Sequence, residues 1–324
     1  MKAIQFQQYG APDKVLKLVE IDKPIPGDNQ VLIKVHAAAT NPLDWHRMEA
    51  DPFIVRFGEG FFKPDNPGLG ADIAGVVEAI GNNVTEFEVG DRVLASIGSG
   101  GFAEYALAAT KNTVTIPETV SFIDAASSPV VGLTAIQGLR DSGNIQAGQS
   151  VLVNGASGGV GSFAVQYAKA MGAEVTGVCS GRNVELVKSI GADHVIDYTK
   201  DDFTRTGDQY DIIYDAVGNR SVWAYQRALK PDGKCVMAGF TTLPHMFHVI
   251  AFGGFVASGN QSISPMPIAK TTKDDLILIR DLLASGKVKA VIDRCYSLEE
   301  TPQAIAYLET GRARGKVIIT IQQV

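Results

Sequence analysis

The sequence predicts an α/β protein of two domains, one mostly β and one built on a doubly wound parallel sheet. From residue 1 to about 122, short β-type runs such as 31–35 and 73–80 alternate with proline and glycine. From about 123 to 263, short strands alternate with helical segments, which is typical of a parallel sheet with helices on both faces. The length of 324 residues also favours two domains over one.

The last part of the chain, residues 264–324, has a different sequence pattern. It contains two amphipathic segments, 273–285 and 302–310, and ends in a β-type run at 316–321. Because this ending resembles the first region, we expect residues 264–324 to fold back onto residues 1–122. The sequence therefore predicts a discontinuous mostly β domain, with residues 123–263 forming the second domain.

Charge and cysteine content exclude several classes of protein. A net charge of −6 argues against a general nucleic-acid or anionic-membrane binder. The three cysteines are far apart in sequence, which favours reduced intracellular thiols over a disulfide framework or a metal knuckle. The N-terminus lacks a signal-peptide core, and the apolar stretch 246–257 is too short to cross a bilayer. We expect a cytoplasmic protein with no nucleic-acid or membrane partner.

A glycine-rich segment, 154–161, directly follows the predicted strand 150–153 and opens a helix. Small residues in such a turn let a pyrophosphate approach the N–H groups at the helix N-terminus. Ala156, Gly158 and Gly161 fill the three small-residue positions of the dinucleotide fingerprint. A plain structural turn is the alternative, but the strand–turn–helix context favours dinucleotide binding.

The end of the next predicted strand indicates which dinucleotide binds. NAD enzymes usually carry a carboxylate there for the ribose 2′-hydroxyl, whereas this chain has Cys-Ser-Gly-Arg at 179–182. The Ser180 hydroxyl and the Arg182 guanidinium suit a 2′-phosphate, because both donate hydrogen bonds to phosphate oxygens. The alternative is an Arg that is simply solvated. The sequence predicts NADPH rather than NADH.

Short motifs in a fixed order along the whole chain resemble the medium-chain dehydrogenase/reductase superfamily, and most closely its quinone oxidoreductase and enone reductase branch. They lie at residues 41–44, 67–75, 90–93, 132–135, 191–198, 215–218 and 314–317. The resemblance implies a GroES-like catalytic domain, a Rossmann cofactor domain and an active site in the cleft between them. It also implies a homodimer joined through the cofactor domains.

Zinc-dependent relatives carry Cys, His and Cys ligands at positions where this sequence has Asn41, Ala71 and Val130. Alanine and valine cannot coordinate a metal, and the first region has no cysteine for a structural zinc lobe. We therefore expect no metal. Without a Lewis acid, a quinone or an α,β-unsaturated carbonyl is a suitable hydride acceptor, because its developing charge is delocalised.

The resemblance also implies roles for individual residues. It places Asn41 and Thr134 near the nicotinamide as positioning residues, with a turn-forming Asn and an ordinary helical Thr as alternatives. The residues expected to contact the cofactor are Ser157, Gly158, Gly159 and Val160 at the pyrophosphate, Ser180, Arg182 and Tyr198 at the 2′-phosphate, the loop at Val217 at the adenine, Gly239 and Phe240 at the nicotinamide, and Arg314 over the cofactor. Tyr198 as a strand-end aromatic and Arg314 as a solvated charge are the alternatives. No general acid is identified.

The sequence supports three functional hypotheses. The first is hydride transfer from NADPH to a small hydrophobic quinone or enone, the second is reduction of an enoyl thioester, and the third is a non-catalytic nucleotide-binding protein with a regulatory or structural role. The segment 49–63, rich in Phe and Gly, suggests a lid over a substrate pocket. A hydrophobic loop packed for stability is the alternative.

Overall fold

The computed structural model describes residues 1–321 and divides the chain into two compact units. The first unit comprises Met1–Val130, Thr271–Gly286 and the chain from Ala290 onward. The second comprises Val131–Lys270 with Lys287–Lys289.

Helices and strands follow one another along the whole chain. Up to residue 130 they are β1 (Lys2–Gln5), α1 (Pro12–Val15), β2 (Lys17–Glu20), β3 (Gln30–Ala39), α2 (Pro42–Glu49), α3 (Arg56–Glu59), β4 (Asp72–Ile80), β5 (Arg92–Ser96), β6 (Tyr105–Ala109), β7 (Thr113–Thr115) and α4 (Phe122–Ala126). They continue with α5 (Pro129–Gln137), β8 (Ser150–Asn154), α6 (Gly159–Ala170), β9 (Glu174–Cys179), α7 (Val184–Ser189), β10 (His194–Asp197), β11 (Tyr210–Asp215), α8 (Val222–Ala228), β12 (Leu229–Met237), α9 (Leu243–Val256) and β13 (Ser262–Pro265). The last are α10 (Lys273–Ala284), β14 (Ile292–Ser297), α11 (Thr301–Glu309) and β15 (Lys316–Thr320).

The first unit is built on a mainly antiparallel sheet in which β3 is central. The strand order is β14-β15-β3-β4-β5-β7, and β6 also pairs with β3. β3 carries the run Val-Leu-Ile-Lys-Val, whose buried residues Ile33 and Val35 pack with Val317 and Ile319 of β15. The last strand of the chain therefore shares one core with the first region.

The predicted boundary at residue 122 falls just before α4, which the structure places in the first unit. This helix packs against β3, β4 and β5, and Phe122 and Ala125 are buried. Ser121 caps its N-terminus by accepting a hydrogen bond from the Asp124 N–H. The first unit therefore extends to Val130.

The second unit is built on a parallel sheet with the strand order β10-β9-β8-β11-β12-β13. Leu152 of β8 lies between Thr176 of β9 and Ile213 of β11. The chain leaves β8 toward β9 and β10 and returns on the other side at β11, so the strand order reverses beside β8. In open α/β sheets, ligands bind outside the carboxyl ends of the strands at such a reversal.

Helix α9 runs without a break through Gly253-Gly254, which lie within the apolar stretch 246–257. Thr242 caps the helix by accepting a hydrogen bond from the His245 N–H. Gly253 lies inside it because a Cβ there would come within 2.2 Å of the Ile263 carbonyl oxygen of β13. Close packing on β13, rather than a break, explains this glycine. Within residues 1–321, no helix is long and apolar enough to cross a membrane.

Candidate functional site

The glycine-rich turn lies at the carboxyl end of β8 and is hydrogen-bonded to the end of β9. Gly155 has a φ of +83°, and the N–H groups of Gly155 and Ala156 donate to the Val178 carbonyl at 3.1 and 3.0 Å. Gly158 is the residue before α6, so Gly159 and Val160 form the first turn of that helix. The turn thus presents a helix N-terminus at the point where the strand order reverses, as predicted for anion binding.

Two glycines of this turn face different surroundings. A Cβ on Gly161 would lie 2.1 Å from the Gly155 carbonyl oxygen, so this glycine allows α6 to pack against the turn. A Cβ on Gly158 would meet only the Gly155 oxygen, at an ordinary 3.5 Å. The space in front of Gly158 is therefore open, as required if a phosphate group is to approach the backbone there.

Ser180, Arg182 and Tyr198 lie at the adjoining carboxyl ends of β9 and β10. The two strands end together because Cys179 pairs with Asp197, and the Tyr198 N–H donates to the Cys179 carbonyl at 3.0 Å. Arg182 and Tyr198 are exposed, and Ser180 is half-buried. The structure thus brings together the three residues that the sequence assigned to a 2′-phosphate.

A carboxylate also lies at this edge, contributed by the neighbouring strand rather than by β9. Asp197 accepts hydrogen bonds from the Thr199 hydroxyl at 2.7 Å, the Thr199 N–H at 3.0 Å and the Gly181 N–H. The Thr199 hydroxyl is the largest of the causes that lower the pKa of Asp197. Lys200 Nζ lies 3.7 Å from the same carboxylate. Sequence reasoning missed Asp197 because it considered the end of β9 alone, although neighbouring parallel strands end side by side.

A buried carboxylate, Asp215, organises the loop after β11. Its Oδ1 accepts hydrogen bonds from the N–H groups of Val217 and Gly218, both at 2.7 Å, and from Asn154 Nδ2 at 3.0 Å. Its Oδ2 accepts from the Tyr225 hydroxyl at 2.5 Å. Burial, and then the charge of Asp215, raise the pKa of Tyr225 well above its usual range. The buried carboxylate of Asp215 therefore fixes the position of the loop that carries Val217.

The loops after β11 and β12 are in direct contact. A Cβ on Gly239 would come within 2.4 Å of the Ala216 carbonyl oxygen, and the Thr241 hydroxyl donates to the Val217 carbonyl at 3.0 Å. Phe240, the next residue, is half-buried against the core of the second unit. Val217, Gly239 and Phe240 thus lie at the same edge as the glycine-rich turn.

Thr134 lies in α5 and belongs to the second unit. Its carbonyl accepts a hydrogen bond from the Tyr214 hydroxyl at 3.1 Å, which ties α5 to β11. Asn41, the other predicted positioning residue, belongs to the first unit.

Asn41 is the residue before α2 and lies in a buried polar cluster. Its Nδ2 donates to Asp72 Oδ2 at 3.0 Å, and its Oδ1 accepts from Lys316 Nζ at 2.6 Å. Asp44 closes a capping box by accepting from the Asn41 N–H at 2.7 Å, and it also accepts from the Gly70 N–H at 2.8 Å. Asn41 is only 1% exposed. Both ends of its carboxamide are therefore held by neighbours within the first unit.

The cluster contains two carboxyl groups and one ammonium, all buried. Burial raises the pKa of Asp44 and of Asp72 to about 6, against the opposing effects of backbone donors, Asn41 and Lys316. Burial likewise lowers the pKa of Lys316, whereas the two carboxylates raise it. Sequence reasoning selected Arg314 in this motif and missed Lys316. The available signal was a lysine at the head of the otherwise apolar strand Lys-Val-Ile-Ile-Thr.

The three positions aligned with zinc ligands are close together around Asp72. Ala71 precedes it, Asn41 donates to it, and the Val130 N–H lies 3.2 Å from both of its carboxylate oxygens. This donor set does not fit zinc, because two positions carry aliphatic side chains and Lys316 already places a positive charge there. Among the described residues, no group of three or more His, Cys, Asp or Glu could hold a metal ion.

The segment 49–63 forms an exposed aromatic surface on the first unit. Phe53, Phe57 and Phe61 pack edge to face with ring centroids 5.8–6.4 Å apart, and Phe57 is 75% exposed. Polar contacts attach the segment to the unit: an Arg47–Glu59 ion pair at 2.7 Å and the Tyr9 hydroxyl on the Gly60 carbonyl at 2.5 Å. The rings therefore add apolar surface rather than core.

Arg314 lies in the first unit, close before β15. It is exposed, and its backbone N–H donates to Asp293 at 2.9 Å. A contact between Arg314 and a cofactor remains a prediction.

A glycine-rich turn at the reversal point of a parallel sheet, in a chain that also carries a mostly β unit, defines the class of two-domain dehydrogenases and reductases. The model of the alcohol dehydrogenase GroES-like domain matches residues 27–118, and the model described as zinc-binding dehydrogenase matches residues 190–319.

Known proteins agree with this class. A chloroplast envelope quinone oxidoreductase homolog of Arabidopsis thaliana is 33% identical over 98% of both chains. An NADPH-dependent alkenal/one oxidoreductase of the same plant is 34% identical over 98% of this chain and 79% of its own length. The structure of the quinone oxidoreductase from Coxiella burnetii has a TM-score of 0.87 and 32% identity, and covers 99% of both chains. The chain belongs to the medium-chain dehydrogenase/reductase superfamily, in its quinone oxidoreductase and enone reductase branch, as the sequence motifs indicated.

The two glycines of the turn give a matched pair of substitutions. Gly161→Ala should lower the free energy of unfolding by about 2 kcal/mol or more, because the new methyl group collides with backbone atoms. Gly158→Ala should lower it by less than about 1 kcal/mol, the cost of alanine before a helix, yet weaken dinucleotide binding about tenfold or more through lost phosphate contact. Chemical denaturation and calorimetric titration measure the two effects. Equal losses of stability in the two variants would contradict the assignment of Gly161 to packing and of Gly158 to phosphate binding.

Lys316→Met should destabilise the protein by about 3–5 kcal/mol at pH 8, because two buried carboxylates lose their counter-charge. The loss should shrink toward pH 5. Asp44 and Asp72 have a folded-state pKa above the unfolded value, so the folded state binds more protons and acid stabilises it. Urea unfolding across this range is the measurement, with the exposed Lys111→Met as the control. A loss that is independent of pH would show that the cluster is not electrostatically coupled.

Proposed function

We propose that this protein is an oxidoreductase that transfers a hydride from NADPH to a quinone or to the C=C bond of an α,β-unsaturated carbonyl compound. The observation that carries the proposal is the open space before Gly158 at a helix N-terminus, beside Ser180 and Arg182 at the end of β9. The names of the relatives, a quinone oxidoreductase and an NADPH-dependent alkenal/one oxidoreductase, agree with it.

The residues of the second unit would hold the cofactor by its phosphates. The backbone around Ser157, Gly158, Gly159 and Val160 would receive the pyrophosphate, because N–H groups at a helix N-terminus favour negative charge. The 2′-phosphate would lie against Ser180, Arg182 and Tyr198. The loop at Val217 would contact the adenine, and Gly239 and Phe240 the nicotinamide. The contacts between Gly155, Val217 and Gly239 support these assignments, since they place all the loops at one edge.

NADPH supplies the hydride when it is bound, so the chain itself positions the reactants and excludes water. Thr134 would position the nicotinamide. The buried contacts of Asn41 with Lys316 and Asp72 support a role in fixing the start of α2 and the backbone around it. Arg314 would close over the cofactor. The proton would come from solvent.

The reaction proceeds without a metal. Asn41, Ala71 and Val130 offer no adequate ligand set, and Lys316 supplies the positive charge among them. An acceptor whose negative charge spreads over an enolate or a quinol matches a site that lacks a Lewis acid.

The acceptor is a small hydrophobic molecule, and no nucleic acid or membrane takes part. The exposed rings of Phe53, Phe57, Phe61 and Phe62 support an apolar acceptor, because they offer it a surface on the first unit. The cytoplasmic location stays a prediction from the sequence.

A second copy of the chain completes the proposed assembly. Among residues 1–321, β13 pairs only with β12, so one edge of the parallel sheet is open to another strand. Phe247 and Phe255 of α9, together with Ile268 beyond β13, are 60%, 88% and 94% exposed. An open strand edge beside exposed apolar side chains supports a homodimer joined through the second unit.

A panel of acceptors tests the function. The purified protein should oxidise NADPH in the presence of a quinone or an enone, at a rate that prolonged treatment with a chelator does not change. Faster turnover of an enoyl thioester would establish the alternative reaction, and binding of NADPH without turnover of any acceptor would indicate a non-catalytic role. Rates lost with the metal and restored by zinc would overturn the metal-free chemistry.

Arg182→Ala should raise the Kd for NADPH about tenfold to a hundredfold and leave that for NADH within about threefold, because only NADPH carries the 2′-phosphate. Arg205→Ala is the matched control, since Arg205 is also an exposed arginine of the second unit and has a weak ion pair with Asp202 at 3.9 Å. Calorimetric titration with NADPH and with NADH gives the change in Kd for each cofactor. Equal losses for NADPH and NADH would refute the assignment of Arg182.

A further inference from the structure

The side chain of Asn183 lies between two loops of the candidate site, the turn after β8 and the segment after β9. It ends the 3₁₀ turn Gly181–Asn183 before α7 and is only 5% exposed. Its Nδ2 donates to Ser157 Oγ at 2.9 Å and to Ser180 Oγ at 3.2 Å. Ser157 lies in the turn after β8, and Ser180 follows β9. One amide nitrogen therefore links the segments proposed to hold the pyrophosphate and the 2′-phosphate.

The stability of the fold does not explain this asparagine. Asn183 directly precedes α7, where asparagine often caps a helix, but its side chain makes no capping hydrogen bond. Its Oδ1 is buried and has no hydrogen-bond partner among residues 1–321. A buried acceptor without a donor makes the folded state less stable than an apolar side chain of similar size would.

The chemistry of the two contacts favours a role in binding anions. A hydroxyl group has one proton to donate and lone pairs that accept. When Asn183 donates to each serine oxygen, the O–H of each serine is free to point elsewhere as a donor. Unprotonated phosphate oxygens only accept hydrogen bonds, so serines oriented in this way suit a phosphate group. The carboxamide nitrogen has two protons, which is the number needed to orient both serines at once.

We propose that Asn183 is a positioning residue that orients Ser157 and Ser180 as hydrogen-bond donors and thereby couples the two phosphate sites of the cofactor. The inference rests on the proposed binding of NADPH. Asn183 acts through the serines and does not touch the cofactor. It contributes to the preference for NADPH because one of the two serines faces the 2′-phosphate, which NADH lacks.

Asn183→Leu provides the first test, because leucine has the same branched arrangement of heavy atoms and cannot orient a hydroxyl. The melting temperature of the cofactor-free protein should change little, because removal of the unpartnered Oδ1 offsets the two lost serine contacts and the larger side chain. The Kd for NADPH should rise about tenfold or more, and that for NADH about threefold, because NADPH depends on both serines and NADH on one. Asn82→Leu, which removes an exposed amide hydrogen bond of 2.9 Å to Asp28, is the control and should change neither Kd.

A double-mutant comparison shows whether Asn183 acts through the serines. In a Ser157→Ala/Ser180→Ala background, Asn183→Leu should change the Kd for NADPH by less than about twofold. A loss as large as in the wild-type background would overturn the proposal. Asn183→Asp provides a second variant if the leucine variant does not fold: its carboxylate accepts hydrogen bonds from both serines and should reduce NADPH binding most.

The outcomes for the inference and for the proposed function can be told apart. If the wild-type protein binds NADPH and reduces an acceptor, and the Asn183 variants bind NADPH equally well, the inference fails and the proposed function stands. If the wild-type protein binds neither NADPH nor NADH, both fail.

Discussion

The contact between Gly161 and the Gly155 carbonyl is the constraint on which the rest of the second unit's site depends. It brings the N-terminus of α6 as close to the end of β8 as backbone atoms allow, which no residue with a side chain would permit. The hydrogen bonds of Gly155 and Ala156 to Val178 then fix the turn against β9. Every other loop of the site is located relative to this turn, because parallel strands end side by side.

Both units use a buried aspartate in the same way. Asp215 accepts four hydrogen bonds and holds the loop after β11, whereas Asp72 accepts from Asn41 and Val130 in the first unit. A buried carboxylate destabilises the folded state unless hydrogen-bond donors surround it. Each of these aspartates therefore restricts its neighbours to positions from which they can donate a hydrogen bond. The difference lies in the counter-charge. Asp72 has Lys316 nearby, while Asp215 is satisfied by neutral donors.

The sequence predicted the features that depend on local pattern. The β8–turn–α6 unit was found because glycines, a strand and a helix are contiguous in sequence. The placement of Tyr198 beside Ser180 and Arg182 came from the family resemblance. It did not reveal Lys316, Asp197 or Asn183. Each of them has at least one contact with a segment distant in sequence, and single residues of common types give no periodic signal. The contact of Asn41 with Lys316 joins positions 275 residues apart.

The ammonium group of Lys316 also limits how this fold could acquire metal chemistry. A chain in which cysteine and histidine replaced Asn41, Ala71 and Val130 would still retain a fixed positive charge beside the new thiolates. That charge would oppose the binding of a dication, whereas the nearby carboxylates of Asp44 and Asp72 would favour it. The lysine is therefore one obstacle, besides the aliphatic side chains of Ala71 and Val130, to a metal at these three positions.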